Sequence, residues 1–173
     1  MIIAQQKRKE NIVEYLLYMW QVEDMIRACR LDMSVIEAQI ISQYDQPEPV
    51  KAEIRVWYED LIRMMRQEGV TERGHLQIHK NIVNELTELH ARLLNTPEET
   101  VYKSLYYKAL PAIVQLRSKS GGSEVSEMET CLTAVYGYLL LKLQRREISA
   151  DTAEAIRQIN SLLAFLAAKY PDV

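Results

Sequence analysis

The sequence predicts an all-α fold, an antiparallel bundle of about six to seven helices with one short and one kinked by proline. Three observations predict it. Apolar residues recur at three- and four-residue spacing through most of the chain. Five glycines and five prolines are too few for the many turns of a β-sandwich or barrel. No segment alternates apolar and polar residues with period two over a useful length. The 173 residues fit a single helical-bundle domain spanning 1–173, which can bury roughly 70% of its unfolded surface without disulfides or metals.

Each helix is read from its punctuation. From about Gln5 to Cys29 no Gly or Pro interrupts, and Ile12, Leu16, Met19, Val22 and Ile26 fall on one helix face. A short second helix, about Ser34 to Tyr44, carries Val35, Ile36, Ile40 and Ile41, with Asp32 or Ser34 as its cap. Pro47 and Pro49 lie too close together for a helix interior and separate it from the third helix. That helix runs from about Val50 to Glu68, with Ile54, Trp57, Leu61, Met64 and Met65 inward and Gly69 as a left-handed C-terminal cap.

Thr71 is expected to open the fourth helix, which carries Leu76, Ile78, Ile82, Val83, Leu86, Leu89 and Leu93 and has Gly74 in its first turn. Thr96-Pro97-Glu98-Glu99 reads as a capping start for the fifth, which reaches about Ser118 and should be kinked or cut by Pro111. Ser120-Gly121-Gly122-Ser123 reads as a flexible loop. Helix six, about Glu124 to Arg146, is apolar all round from Ala134 to Leu141 and is therefore expected to be the most central. The last helix is capped by Ser149 or by Asp151, whose spacing to Glu154 fits a capping box, and it buries Ile156, Ile159, Leu163, Leu166 and Tyr170.

Composition narrows the function classes. A net charge of −3 argues against a dedicated nucleic-acid binder, which usually shows a basic excess. The basic groups Lys7-Arg8-Lys9 and Lys142, Arg145 and Arg146 read as solvated helix ends. Cys29 and Cys131, both in apolar helical stretches, read as reduced buried thiols of a cytoplasmic protein. The opening residues lack the apolar core and cleavage site of a signal peptide. The longest uncharged apolar run, Leu132 to Leu141, is about half a membrane span.

Few residues suggest chemistry. His75 and His79, four apart, share a helix face and could hold a metal ion, yet Leu76 stands where a zinc protease needs glutamate. His90 returns to the same line, but so do Ile82, Val83, Leu86 and Leu93, so core-edge histidines are the plainer reading. Glu72 and His75 form the lone Glu-x-x-His pair, short of what a di-iron bundle requires. Glu23 sits on the apolar line of the first helix. It is either a buried acid with a raised pKa or the partner of an arginine such as Arg27, Arg55 or Arg63.

Ten tyrosines against one phenylalanine suit either a hydroxyl-lined pocket or a bundle edge that meets another chain. Glu23, Trp20, Trp57, Tyr58, Tyr106 and Tyr138 are the candidates for such a pocket or interface. There is no phosphate-binding glycine loop, Cys-x-x-Cys or nucleophile elbow, so no catalytic residue is assigned and no cofactor is expected.

The opening Met1-Ile2-Ile3-Ala4-Gln5-Gln6-Lys7-Arg8-Lys9-Glu10-Asn11-Ile12, the run Tyr15-Leu16-Leu17-Tyr18-Met19-Trp20-Gln21-Val22-Glu23-Asp24, the pair Trp57-Tyr58 and the closing Phe165-Leu166-Ala167 carry a resemblance. Together they resemble a family of small all-helical proteins from Bacteroidetes, catalogued as a domain of unknown function, over most of the chain. The resemblance implies a bacterial cytoplasmic protein and transfers no catalytic residue. The function expected is a non-enzymatic interaction or scaffold bundle, self-associating or meeting a protein partner, away from the membrane and from nucleic acid. The alternative is a bundle that binds a small ligand or a metal through the tyrosines with Glu23 or through His75 and His79, with an enzyme as its furthest form.

Overall fold

Helix boundaries in this chain follow where individual donors and acceptors find partners. The computed structural model describes residues 2–119 and 125–171, and among them are eight α-helices, one 3-10 turn and no strand. The all-α prediction holds. The Ser120–Ser123 loop and the start of helix six at Glu124 lie outside the described residues. Contacts divide the chain into two compact units, one built from the chain up to Glu10 and from Glu14 to Asn81, the other from Asn11–Val13 and from Ile82 onward.

The unbroken helix expected from Gln5 to Cys29 is two, α1 (Ile2–Glu10) and α2 (Ile12–Ala28). Asn11 makes the break: its side-chain oxygen accepts the Val13 N–H at 3.0 Å, a local bond that competes with helix continuation. At the other end of α2, Leu31 N–H reaches Ile26 C=O at 3.0 Å and Arg30 N–H reaches Arg27 C=O at 2.8 Å. This is the paired closure of a Schellman motif, with Arg30 at the left-handed position (φ 57°) and Leu31 left-handed as well (φ 56°).

Asp32, by accepting the Ser34 N–H at 2.8 Å, caps α3 (Met33–Gln39). The helix expected to reach Tyr44 stops there, and Ile41–Gln43 continues as a 3-10 turn. Ile36 and Ile41 would sit about 140° apart on one α-helix; the break at Ile40 lets both be fully buried. Helix α4 (Glu48–Gln67) starts with Pro49 in its first turn, where a missing N–H costs nothing. It buries Ile54, Tyr58, Leu61, Ile62 and Met65, whereas Trp57 and Met64, expected inward, are half-buried. Both α3 and the 3-10 turn pack on α4.

Helix α4 ends with the same closure as α2. Val70 N–H bonds Met65 C=O at 3.0 Å, and Gly69 takes the left-handed position at φ 69°. Glycine adopts that conformation freely, while Arg30 does so at a cost on the order of 1 kcal/mol.

The next helix, α5 (Gln77–Asn95), starts six residues later than Thr71. Gly74 explains the delay, because its φ of 87° is incompatible with a helix. The first N–H groups of α5 are capped from far along the chain: Glu23 accepts from Leu76 N–H at 3.1 Å and Glu68 from Gln77 N–H at 2.7 Å.

The second unit holds the remainder of α5, with Ile82, Val83, Leu86, Leu89 and Leu93 buried. Helix α6 spans Thr100–Lys119, not from Pro97, because the Thr96 hydroxyl donates back to Arg92 C=O at 2.9 Å and does not cap forward. Pro111 lies inside α6 without ending it.

Helix α7 (Glu127–Leu143) is capped by Ser126, which accepts the Glu129 N–H. Its burial contradicts the expectation of a wholly central helix. Met128, Cys131, Leu132, Val135 and Tyr136 are buried, but every residue from Gly137 to Leu141 is only half-buried and Leu143 is 60% exposed. Helix α8 (Ala150–Ala168) is capped by Ser149, not by an Asp151–Glu154 box. It packs on α6 and α7, which also pack on each other.

Candidate functional site

Two groups of buried polar side chains stand out, one in each unit, and α5 supplies a histidine to both. In the first unit, Glu23 lies on the inner face of α2 with no exposure to solvent. His75, in the loop before α5, places Nδ1 2.6 Å from Glu23 Oε2, and His79, one turn into the helix, places Nδ1 2.6 Å from Oε1. Leu76 N–H adds a third donor, and the Arg27 guanidinium stands 3.9 Å away. A carboxylate only accepts, so both rings carry hydrogen on Nδ1. His79 is fully buried, and its Nε2 has no partner among the described residues.

Aromatic rings hold the histidines in place. Trp20 stacks on His75 with centroids 4.2 Å apart and planes within 12°, and Tyr15 meets His79 edge-on at 6.1 Å. Arg27 ties the loop down by donating to the carbonyls of Val70 and Gly74 and to Asp24.

Burial alone would raise the Glu23 pKa, but the hydrogen bonds from His75 and His79, the charge of His79 and the Leu76 N–H outweigh it and hold the acid down at about 2. Of the two readings of Glu23, the raised-pKa acid is the one these hydrogen bonds oppose. Of the three arginines named as partners only Arg27 is near, since Arg55 pairs with Glu37 and Glu48 and Arg63 with Asp60. An ionised carboxylate with both oxygens committed is a poor proton donor at neutral pH, and its geometry is that of a clasp joining α2 to the start of α5.

In the second unit, His90 Nδ1 lies 2.6 Å from the Tyr102 hydroxyl and its Nε2 3.4 Å from Glu127. Tyr106 donates to the same Glu127 oxygen at 3.0 Å, and Arg117 stands 3.6 Å from the other. Desolvation pushes the His90 pKa down, against the pull of Glu127. Burial, aided by Glu127, lifts Tyr106 and Cys131 to about 12 each. Tyr102 is fully buried, so its hydroxyl has no path to a substrate.

The sequence candidates therefore divide. Glu23, Trp20, His75 and His79 come together. Trp57 and Tyr58 meet edge-on at 5.0 Å, with Tyr58 buried and its hydroxyl pKa driven up by burial and by Tyr44 and Tyr18. Tyr106 belongs to the His90 group. Tyr138 lies on α7 beneath the Lys142 ammonium, 5.0 Å from its ring centre, and helps line a cleft of about 510 Å³ between α7 and α8.

His90 does not share a group with His75 and His79. Among the described residues no set of three or more His, Cys, Asp or Glu side chains is placed to hold a metal ion. Sequence reasoning missed Glu127 and Tyr102 as partners of His90. The available signal was a histidine on a leucine-lined face, which must find a hydrogen bond somewhere.

No described helix is long and apolar enough to cross a membrane. A family described as Domain of unknown function (DUF4924) matches residues 1–173. No curated protein and no solved structure matches the chain.

Proposed function

We propose that this chain, which belongs to the DUF4924 family, is a non-enzymatic interaction bundle that associates with a second copy of itself through the outer face of α7 and α8. The observation that carries this reading is the C-terminal half of α7. The run Gly137-Tyr138-Leu139-Leu140-Leu141 is apolar yet only half-buried, and Leu143 beyond it is 60% exposed. Leaving that much leucine in water is costly, at about 25 cal/mol per Å² of apolar surface, unless another surface covers it.

Charge favours a second copy as the occupant. Lys142, Arg145 and Arg146 lie at and just past the end of α7, while Glu147, Asp151 and Glu154 lie just before and near the start of α8, so a twofold-related copy can set its acidic stretch on this basic one. Gly137 adds to the case. A Cβ built there meets nothing within 4 Å, and glycine inside a helix costs about 1 kcal/mol relative to alanine; close approach of a partner helix would use that space. The Glu23 and His90 groups support the same reading, since both are spent on internal hydrogen bonds.

Sedimentation velocity across a concentration series tests the proposal. The native chain should run as a dimer, and Leu143→Glu should run as a monomer with an unchanged helical circular dichroism spectrum. Gly137→Gln, which fills the empty space without touching a neighbour, should dissociate the dimer in the same way. A native chain that stays monomeric at its highest soluble concentration would overturn the proposal.

A further inference from the structure

Within the first unit, the turn between α2 and α3 and the C-terminal half of α4 enclose a cleft of about 610 Å³, a size that suits a small molecule. Its apolar lining residues are Leu31, Met33 and the buried Ile62. Its rim carries three guanidiniums, those of Arg30, Arg63 and Arg66, against the carboxylates of Asp32 and Glu59. We propose that this cleft binds a small phosphorylated compound bearing hydroxyl groups, with Arg30 and Arg66 as the phosphate-binding residues.

Some of these groups are already committed to partners within the chain. Asp32 spends an oxygen on the Ser34 N–H as the cap of α3, and Arg63 is paired with Asp60 at 2.7 Å. Arg66 donates only to the Leu31 carbonyl, at 3.2 Å, which positions the guanidinium without neutralising it. The Arg30 side chain makes no hydrogen bond or ion pair among the described residues. Two unneutralised guanidiniums in one concave site match the oxygens of a phosphate, which takes paired N–H donors. The Glu59 carboxylate, also unpaired among the described residues, can accept from a hydroxyl of the same ligand.

Backbone conformation adds a separate indication. The closures of α2 and α4 are the same motif, but where α4 places Gly69, α2 places Arg30 in the left-handed region, followed by Leu31 at φ 56°. Two consecutive non-glycine residues in that region are strained. The residue at this left-handed position brings a guanidinium to the lining of the cleft, which glycine would lack.

Isothermal titration calorimetry at constant ionic strength tests the assignment, using inorganic phosphate, glucose 6-phosphate and glucose as probes. Glucose 6-phosphate should bind saturably and more tightly than inorganic phosphate, and glucose should not bind. Arg30→Gly relieves the strain while removing the guanidinium, so its melting temperature should rise while affinity for glucose 6-phosphate falls on the order of tenfold or more. Arg66→Gln should weaken binding similarly. Absence of saturable binding by either phosphate compound, or undiminished affinity in Arg30→Gly, would overturn the proposal. Neither outcome bears on self-association through α7 and α8.

Discussion

The Glu23 group of the first unit and the Glu127 group of the second are built from the same parts, a glutamate with histidine donors and a tyrosine ring, but they treat the acid differently. Glu23 is sealed from solvent and takes three short donors, one of them a backbone N–H that opens α5. The Glu127 side chain is 26% exposed, takes one hydroxyl at 3.0 Å, and holds its histidine and arginine at 3.4 and 3.6 Å. A buried charge with every acceptor used fastens the backbone around it. A half-exposed one shares its binding with water and fastens little.

The largest effect expected from this contrast is that of Glu23→Ala. It leaves the buried His79, the half-buried His75 and the Leu76 N–H without their acceptor, and should cost about 3–5 kcal/mol in urea unfolding. Glu127→Ala should cost about 1 kcal/mol or less, because its carboxylate is already partly exposed to solvent. Equal losses would break the comparison.

Acid titration sharpens it next. The folded pKa of Glu23, about 2, lies below its ordinary value of 4.5. Its contribution is therefore complete above pH 4.5 and is lost as pH falls from there toward 2, amounting to about 3 kcal/mol. His90 has the opposite preference, since burial favours its neutral form. The unfolded state binds its proton more readily, so stability should already begin to decline as pH drops below about 6.5. Guanidinium melts from pH 7 to 2 should show a shallow decline followed by a steeper one, and Glu23→Gln should remove the steeper part alone.

A smaller effect than that of Glu23→Ala is expected of Tyr102→Phe. It removes the partner of His90 Nδ1 while keeping the ring, at a cost of about 1–2 kcal/mol. His90→Phe in the same background should then add little in a double-mutant cycle, because the two side chains act as one pair.

Much of the architecture could be read from residue types alone. Apolar spacing identified the faces of α2, α5 and α8, and Gly69 marked the end of α4 through the one conformation that glycine adopts freely. These features are local. They depend on side chains within a turn of each other, and a sequence lists such neighbours directly.

The structure decided what depends on contacts distant in sequence. Helix α5 begins at Gln77 because carboxylates 53 and 9 residues back in the chain cap it, and no local pattern announces that. Glu23 is an ionised clasp instead of a raised-pKa acid because two histidines more than 50 residues away point at it. The Leu139–Leu143 stretch looked like core by composition and is half in water, because hydrophobicity states what a helix would bury but not whether the chain has enough surface of its own to cover it. The sequence by itself determined helices and their apolar faces, through short-range sterics and periodicity; tertiary structure determined charge states, helix starts and the uncovered leucines, through partners that only folding brings within hydrogen-bonding reach.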